Sequence, residues 1–143
     1  MGVIVGPRVL DAGFSLVSVL LAPVPVAAGF PSPAQDYFDG RIDLNEHLIK
    51  DVTSTFVVRV TGQSMEGAGI SDGDELIVNR ALEPKDGSVV VAVLDGELTI
   101  KRLRITKSGV VLQADNPKFP DIRVGALSEL TIWGVATTCL HHI

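Results

Sequence analysis

From residue 55 onward the chain is a succession of short β-branched and aromatic runs cut by turn residues, a rhythm that does not suit a helical bundle. The runs cover residues 55–60, 75–78, 88–94, 97–105, 110–113 and 129–138. Between them stand Ser71-Asp72-Gly73-Asp74, Asp95-Gly96 and Lys107-Ser108-Gly109. Asp-Gly favours a two-residue type I′ hairpin turn, in which both central residues need positive φ. Val89-Val90-Val91-Ala92-Val93-Leu94 is apolar without alternation, so this run is expected to cross the centre of the core with both faces covered. Short, evenly spaced strands predict a mostly β, partly barrel-like body. One short helix is expected around Asn45-Glu46-His47-Leu48-Ile49.

At 143 residues the chain can bury one real core and carry a short appendage. Residues 1–30 read as that appendage, an apolar arm ending in Val26-Ala27-Ala28-Gly29-Phe30, and residues 31–143 as the β domain. Phe30-Pro31-Ser32-Pro33 makes a natural hinge, because each proline biases its predecessor to extended geometry and cannot donate a hydrogen bond. The apolar stretch from Phe14 to Val26, with Arg8 before it and small residues after it, has some features of a secretory signal. Asp11 at its edge and Pro23 and Pro25 within it argue against export, and the run is too short and interrupted to span a bilayer as a helix. A cytoplasmic protein with no membrane contact is the expectation.

Twelve Lys and Arg against seventeen Asp and Glu leave a net charge of −5, with no basic run, so no direct nucleic-acid binding is expected. The lone cysteine, Cys139, precludes an internal disulfide and reads as a small buried hydrophobe. His47, His141 and His142 are too dispersed for a metal site, and His141-His142 reads as solvated tail. Neither metal nor cofactor is expected.

Two residues stand out for chemistry. Ser64 lies in the loop Thr61-Gly62-Gln63-Ser64-Met65-Glu66-Gly67, and Lys101 lies inside the run that follows Asp95-Gly96. A serine hydroxyl is a poor nucleophile until a base takes its proton, and a lysine can be that base only when neutral. Bringing a lysine pKa from about 10.4 to near 7 disfavours the charged form by about 4–5 kcal/mol, which burial can supply. The chemistry therefore needs a lysine on a rigid apolar strand, and Leu98, Ile100 and Leu103 around Lys101 provide one. Thr99 projects from the same strand face, where its hydroxyl could hold the amine. Taken singly, Ser64 is an ordinary turn residue and Lys101, with Arg102 and Arg104 beside it, an ordinary solvated face. Asp72, Asp74 and Glu75 lack the spacing of a calcium loop and read as a turn. Only the combination singles the pair out.

The stretches Gly62-Gln63-Ser64-Met65, Gly69-Ile70-Ser71-Asp72-Gly73-Asp74 and Asp95-Gly96-Glu97-Leu98-Thr99-Ile100-Lys101-Arg102-Leu103 strongly resemble the LexA/UmuD family of self-cleaving Ser/Lys proteases. Phe30-Pro31-Ser32-Pro33-Ala34-Gln35-Asp36-Tyr37 and Arg41-Ile42-Asp43-Leu44-Asn45 resemble its UmuD branch. The resemblance covers nearly everything from Ala28 onward. The arm upstream of Ala27 departs from it by being more apolar.

That resemblance implies a compact β domain with a flexible extended N-terminal arm. It implies Ser64 as nucleophile, Lys101 as general base, Thr99 as the residue supporting the lysine, and backbone N–H groups around Gln63, Ser64 and Met65 as oxyanion donors. It also implies a scissile bond between Ala28 and Gly29, cut when a RecA filament on single-stranded DNA is present after DNA damage. The trimmed homodimer would then serve a Y-family, UmuC-like translesion polymerase. Two other readings remain open at this point: a non-enzymatic dimeric interaction module, and an exported Ser/Lys peptidase of the signal-peptidase type.

Overall fold

The computed structural model describes residues 3–9, 18–20, 26, 28–29 and 41–143. They fall into two units, one of residues 13–50 and the other of residues 1–12 with everything from Asp51 onward. The hinge expected at residues 30–33 lies outside the described residues, as does most of the apolar run from Phe14 to Val26.

The smaller unit carries β2 (Ser18–Leu20) paired antiparallel with β3 (Arg41–Asp43), followed at once by α1 (Leu44–Leu48). Asp43 caps this short helix by accepting from the Asn45 N–H at 3.0 Å. The helix expected around Asn45 is therefore present, one residue earlier than anticipated. Within this unit's described residues, Val26, Ala28 and Gly29 are exposed, and the last two form a bend.

The larger unit is an antiparallel sheet of eight strands: β1 (Val3–Val9), β4 (Thr55–Thr61), β5 (Glu75–Asn79), β6 (Val89–Leu94), β7 (Glu97–Thr106), β8 (Gly109–Gln113), β9 (Ile122–Arg123) and β10 (Leu130–Leu140). In space they run β1-β4-β5-β10-β6-β7-β8-β9. All six strands read from the sequence are here, each within a residue or two of its expected bounds. Asp95 and Gly96 both take positive φ, 48° and 83°, as the hairpin joining β6 to β7 requires. Val90, Val91 and Ala92 are wholly buried, so β6 does cross the core with both faces covered.

Two features tie the sheet together. The long strand β10 pairs with β6 through residues 130–135 and with β5 through residues 135–140, joining what would otherwise be separate halves. A bulge between Ile132 and Gly134 turns it from one partner to the other. A Cβ at Gly134 would sit 2.5 Å from Val78 Cγ1, so only glycine lets β10 approach β5 this closely.

The second is β1, which pairs with the outer edge of β4 in the register Ile4↔Val60 and Arg8↔Val57. Its Gly6-Pro7 falls where that register shifts, and an edge strand tolerates a proline at such a bulge.

The C-terminal residues are less detached than the sequence suggested. His141 Nδ1 lies 2.6 Å from Asp74 Oδ1, and the Cys139 thiol donates to Asp74 Oδ2 at 3.2 Å. Burial works to raise the Asp74 carboxyl, but the Ser71 N–H, His141 and Cys139 together hold it below its ordinary value. Cys139 is half-buried rather than core, and desolvation with the neighbouring carboxylate pushes its thiol up to about 11. His141 and His142 are exposed, as expected of a solvated tail, but the His141 ring also ties that tail to the 71–74 turn.

Candidate active site

β4 delivers the chain to the loop that carries Ser64. Gly62 turns it with φ of 92°, and its N–H donates to Asp72 Oδ1 at 2.7 Å. Met65 then plunges into the core beside Val58, Val60 and Ile100, pinning the loop from within. Its carbonyl accepts from the Ala68 and Ile70 N–H groups, and a single 3₁₀ turn at Glu66–Ala68 closes the loop. The outcome is a serine with 0% of its surface exposed, held by a backbone it does not control.

β7 supplies the other member. Ile100 faces the cluster of Val58, Val78 and Val91, while Thr99 and Lys101 share the opposite strand face. Only 1% of Lys101 is exposed. Its Nζ lies 3.1 Å from Ser64 Oγ, 2.9 Å from Thr99 Oγ1 and 3.1 Å from the Ile100 carbonyl. Among the described residues no carboxylate forms an ion pair with this amine. Burial without a counter-charge brings its pKa down from 10.5 to about 8.

These three contacts suit both protonation states. A charged amine donates one N–H to each oxygen. A neutral one donates two, to Thr99 and Ile100, and offers its lone pair to the Ser64 hydroxyl proton. A proton can therefore pass from Ser64 to Lys101 without any heavy atom moving.

Sequence reasoning missed the residues that hold the Ser64 loop from outside. The turn after β8 places Asn116 so that its Nδ2 donates to the Gln63 carbonyl at 2.8 Å, and the Glu66 N–H reaches the same oxygen at 3.3 Å. The Gln63 carbonyl and the Ser64 N–H belong to one peptide plane, so fixing the first aims the second. Next to Asn116, the Asp115 carbonyl accepts from the Gly67 N–H at 2.6 Å. A Cβ at Gly67 would lie 2.4 Å from that oxygen, so the contact needs glycine. Asp115 is itself fixed by Arg102 Nε at 2.8 Å. Arg102, which had read as part of a solvated face, belongs to this bracing. The only available signal was Asp115-Asn116-Pro117 after a strand, which marks a turn without saying what the turn touches.

Asn116→Ala is expected to slow any chemistry at Ser64 about tenfold, the effect of mis-aiming a reacting group by a fraction of an ångström. Because Asn116 acts through the backbone of residues 63–64, the plateau of the pH–rate curve should fall while its midpoint stays in place. A shifted midpoint would mean that Asn116 acts on Lys101 instead.

The geometry joins Ser64, Thr99 and Lys101, with Gln63 and Met65 flanking the serine. Ala28 and Gly29 lie in the other unit. No cluster of His, Cys, Asp or Glu able to hold a metal occurs among the described residues, and no helix there is long and apolar enough to cross a membrane.

Residues 21–137 match the family Peptidase S24-like. The chain belongs to that family. It is 42% identical to Protein SamA of Salmonella typhimurium over 114 residues, which cover 80% of this chain and 79% of that protein. It is 40% identical to Protein MucA of Escherichia coli over 116 residues, covering 80% and 79%. The LexA repressor of Delftia acidovorans is 43% identical over 111 residues, which span 78% of this chain but 49% of the repressor. These matches bear out the resemblance to the LexA/UmuD group, and membership places the chain among self-cleaving serine peptidases.

Proposed function

We propose that this chain is a UmuD-like protease of the SOS response that removes its own arm by cutting between Ala28 and Gly29. The observation that carries the reading is the 3.1 Å contact between a buried amine, with no carboxylate partner among the described residues, and a buried hydroxyl. Neutral Lys101 takes the Ser64 proton as Oγ bonds to the Ala28 carbonyl carbon. The charge gathering on that oxygen is met by backbone N–H groups of the braced loop at residues 63–65. Lys101 then returns the proton to the Gly29 nitrogen as the peptide bond breaks. Water, deprotonated by the same amine, releases the Ala28 acyl group from Ser64.

Small residues on both sides of the bond let the backbone enter a narrow cleft without side-chain clash. Because the substrate is tethered, attack is effectively unimolecular, and a modest catalyst suffices. A RecA filament on single-stranded DNA would promote the cut by binding the cleavage-ready conformer more tightly than the resting one. The trimmed homodimer would then join a Y-family, UmuC-like polymerase in the cytoplasm. Incubating the purified chain at alkaline pH, or with activated RecA filaments, is expected to yield a fragment whose first residue is Gly29. An intact chain under both conditions would favour a non-enzymatic interaction module.

A further inference from the structure

Both β4, which leads directly into the Ser64 loop, and β7, which carries Lys101, are strands whose neighbours decide where an extended peptide could lie. β4 has β5 along one edge, and its other edge is held by β1. β7 has β6 along one edge, while β8 follows the other only over residues 102–106. β1 also lies against β7. Strand β1 therefore runs beside both the strand that leads to Ser64 and the strand that bears Lys101, with Val3 paired to Thr61, three residues before Ser64. A peptide reaching Ser64 as an added strand on β4 needs the edge that β1 already holds. The two segments are also alike in sequence: Val3-Ile4-Val5 and Val24-Pro25-Val26 are both short Val-rich runs.

We propose that the β4 edge beside Ser64 is a binding site for one extended apolar strand, and that Val3–Val9 is its resident occupant, competing with the segment that carries the scissile bond. This rests on the self-cleavage reading above. While β1 is seated the bond cannot be delivered, so activation requires its displacement. Cutting after Ala28 then separates β1 from the body. Its return changes from a tethered to a bimolecular event, its effective concentration falls from millimolar to that of the free fragment, and the site stays vacant.

The test is the double variant Ile4→Pro/Val5→Pro in the full chain. Successive N–H groups of a strand point to opposite sides, so one of the two prolines must remove a donor facing β4. Self-cleavage at alkaline pH should speed up about tenfold, as expected if β1 is seated nine-tenths of the time or more. A synthetic peptide of residues 1–12 added to the variant should slow it again. Hydrogen exchange at Thr55–Thr61 should quicken in the variant, with β6 still protected as proof of an intact fold. An unchanged or slower rate with no effect of the peptide overturns the competition. If neither protein cuts, the self-cleavage reading fails, and exchange alone decides: unchanged protection along β4 removes β1 from its edge.

Discussion

Lys101→Met and Ser64→Ala should each abolish appearance of the Gly29 fragment, with a loss of at least about 10³-fold for removing either the base or the nucleophile. The two variants should differ in stability. Lys101 is buried, its charged form has no carboxylate partner among the described residues, and its pKa is lowered from 10.5 to about 8. Between those values the unfolded chain holds a proton that the folded chain has released, so stability rises with pH across that window. Below pH 8 the charged lysine costs the fold on the order of 3 kcal/mol, and above about 10.5 this cost is gone. Methionine of similar length never carries it. Chemical denaturation should therefore place Lys101→Met closer to, or above, the parent at pH 7 than at pH 10. Ser64→Ala keeps the buried amine and should show the parent's pH trend. Persistent cleavage in both variants would remove the pair from the mechanism.

The rate itself should climb with pH, since only the neutral amine can accept the Ser64 proton. With a pKa of about 8, the neutral fraction is about 1% at pH 6, about 9% at pH 7 and about 90% at pH 9. Single-turnover cleavage should thus rise about 90-fold from pH 6 to pH 9, with a log-rate slope near one at the acid end and a plateau above pH 9. A curve that is flat over this range, or that falls, would assign the proton transfer to some other group.

Much of this fold was legible because its strands announce themselves locally. β4 through β8 and β10 are β-branched runs bounded by turn residues, and Asp95-Gly96 specifies its own hairpin. The pairing of Ser64 with Lys101 was legible for a chemical reason: a lysine that is to act as a base needs an apolar strand, and Lys101 stands in one. What escaped the sequence depended on partners distant in the chain. β1 contains Gly6-Pro7, which argues against a strand until β4 offers an edge that tolerates the bulge. β9 is two residues long and exists only as pairing with β8. Asn116 and Gln63 are separated by 53 positions, and nothing local marks their contact. His141 likewise reads as tail until Asp74, 67 residues earlier, is brought beside it.

Strand β10 lies later in the chain than both Ser64 and Lys101, yet it bridges the strand pair leading to the serine and the hairpin bearing the lysine. On the ribosome, a growing polypeptide can already contain Ser64 and Lys101 while β10, which joins their two halves of the sheet, has yet to be synthesised. If Ser64 and Lys101 cut after Ala28 as proposed, birth order would work as a safety catch: the blade would stay unassembled until translation had passed its target by more than a hundred residues.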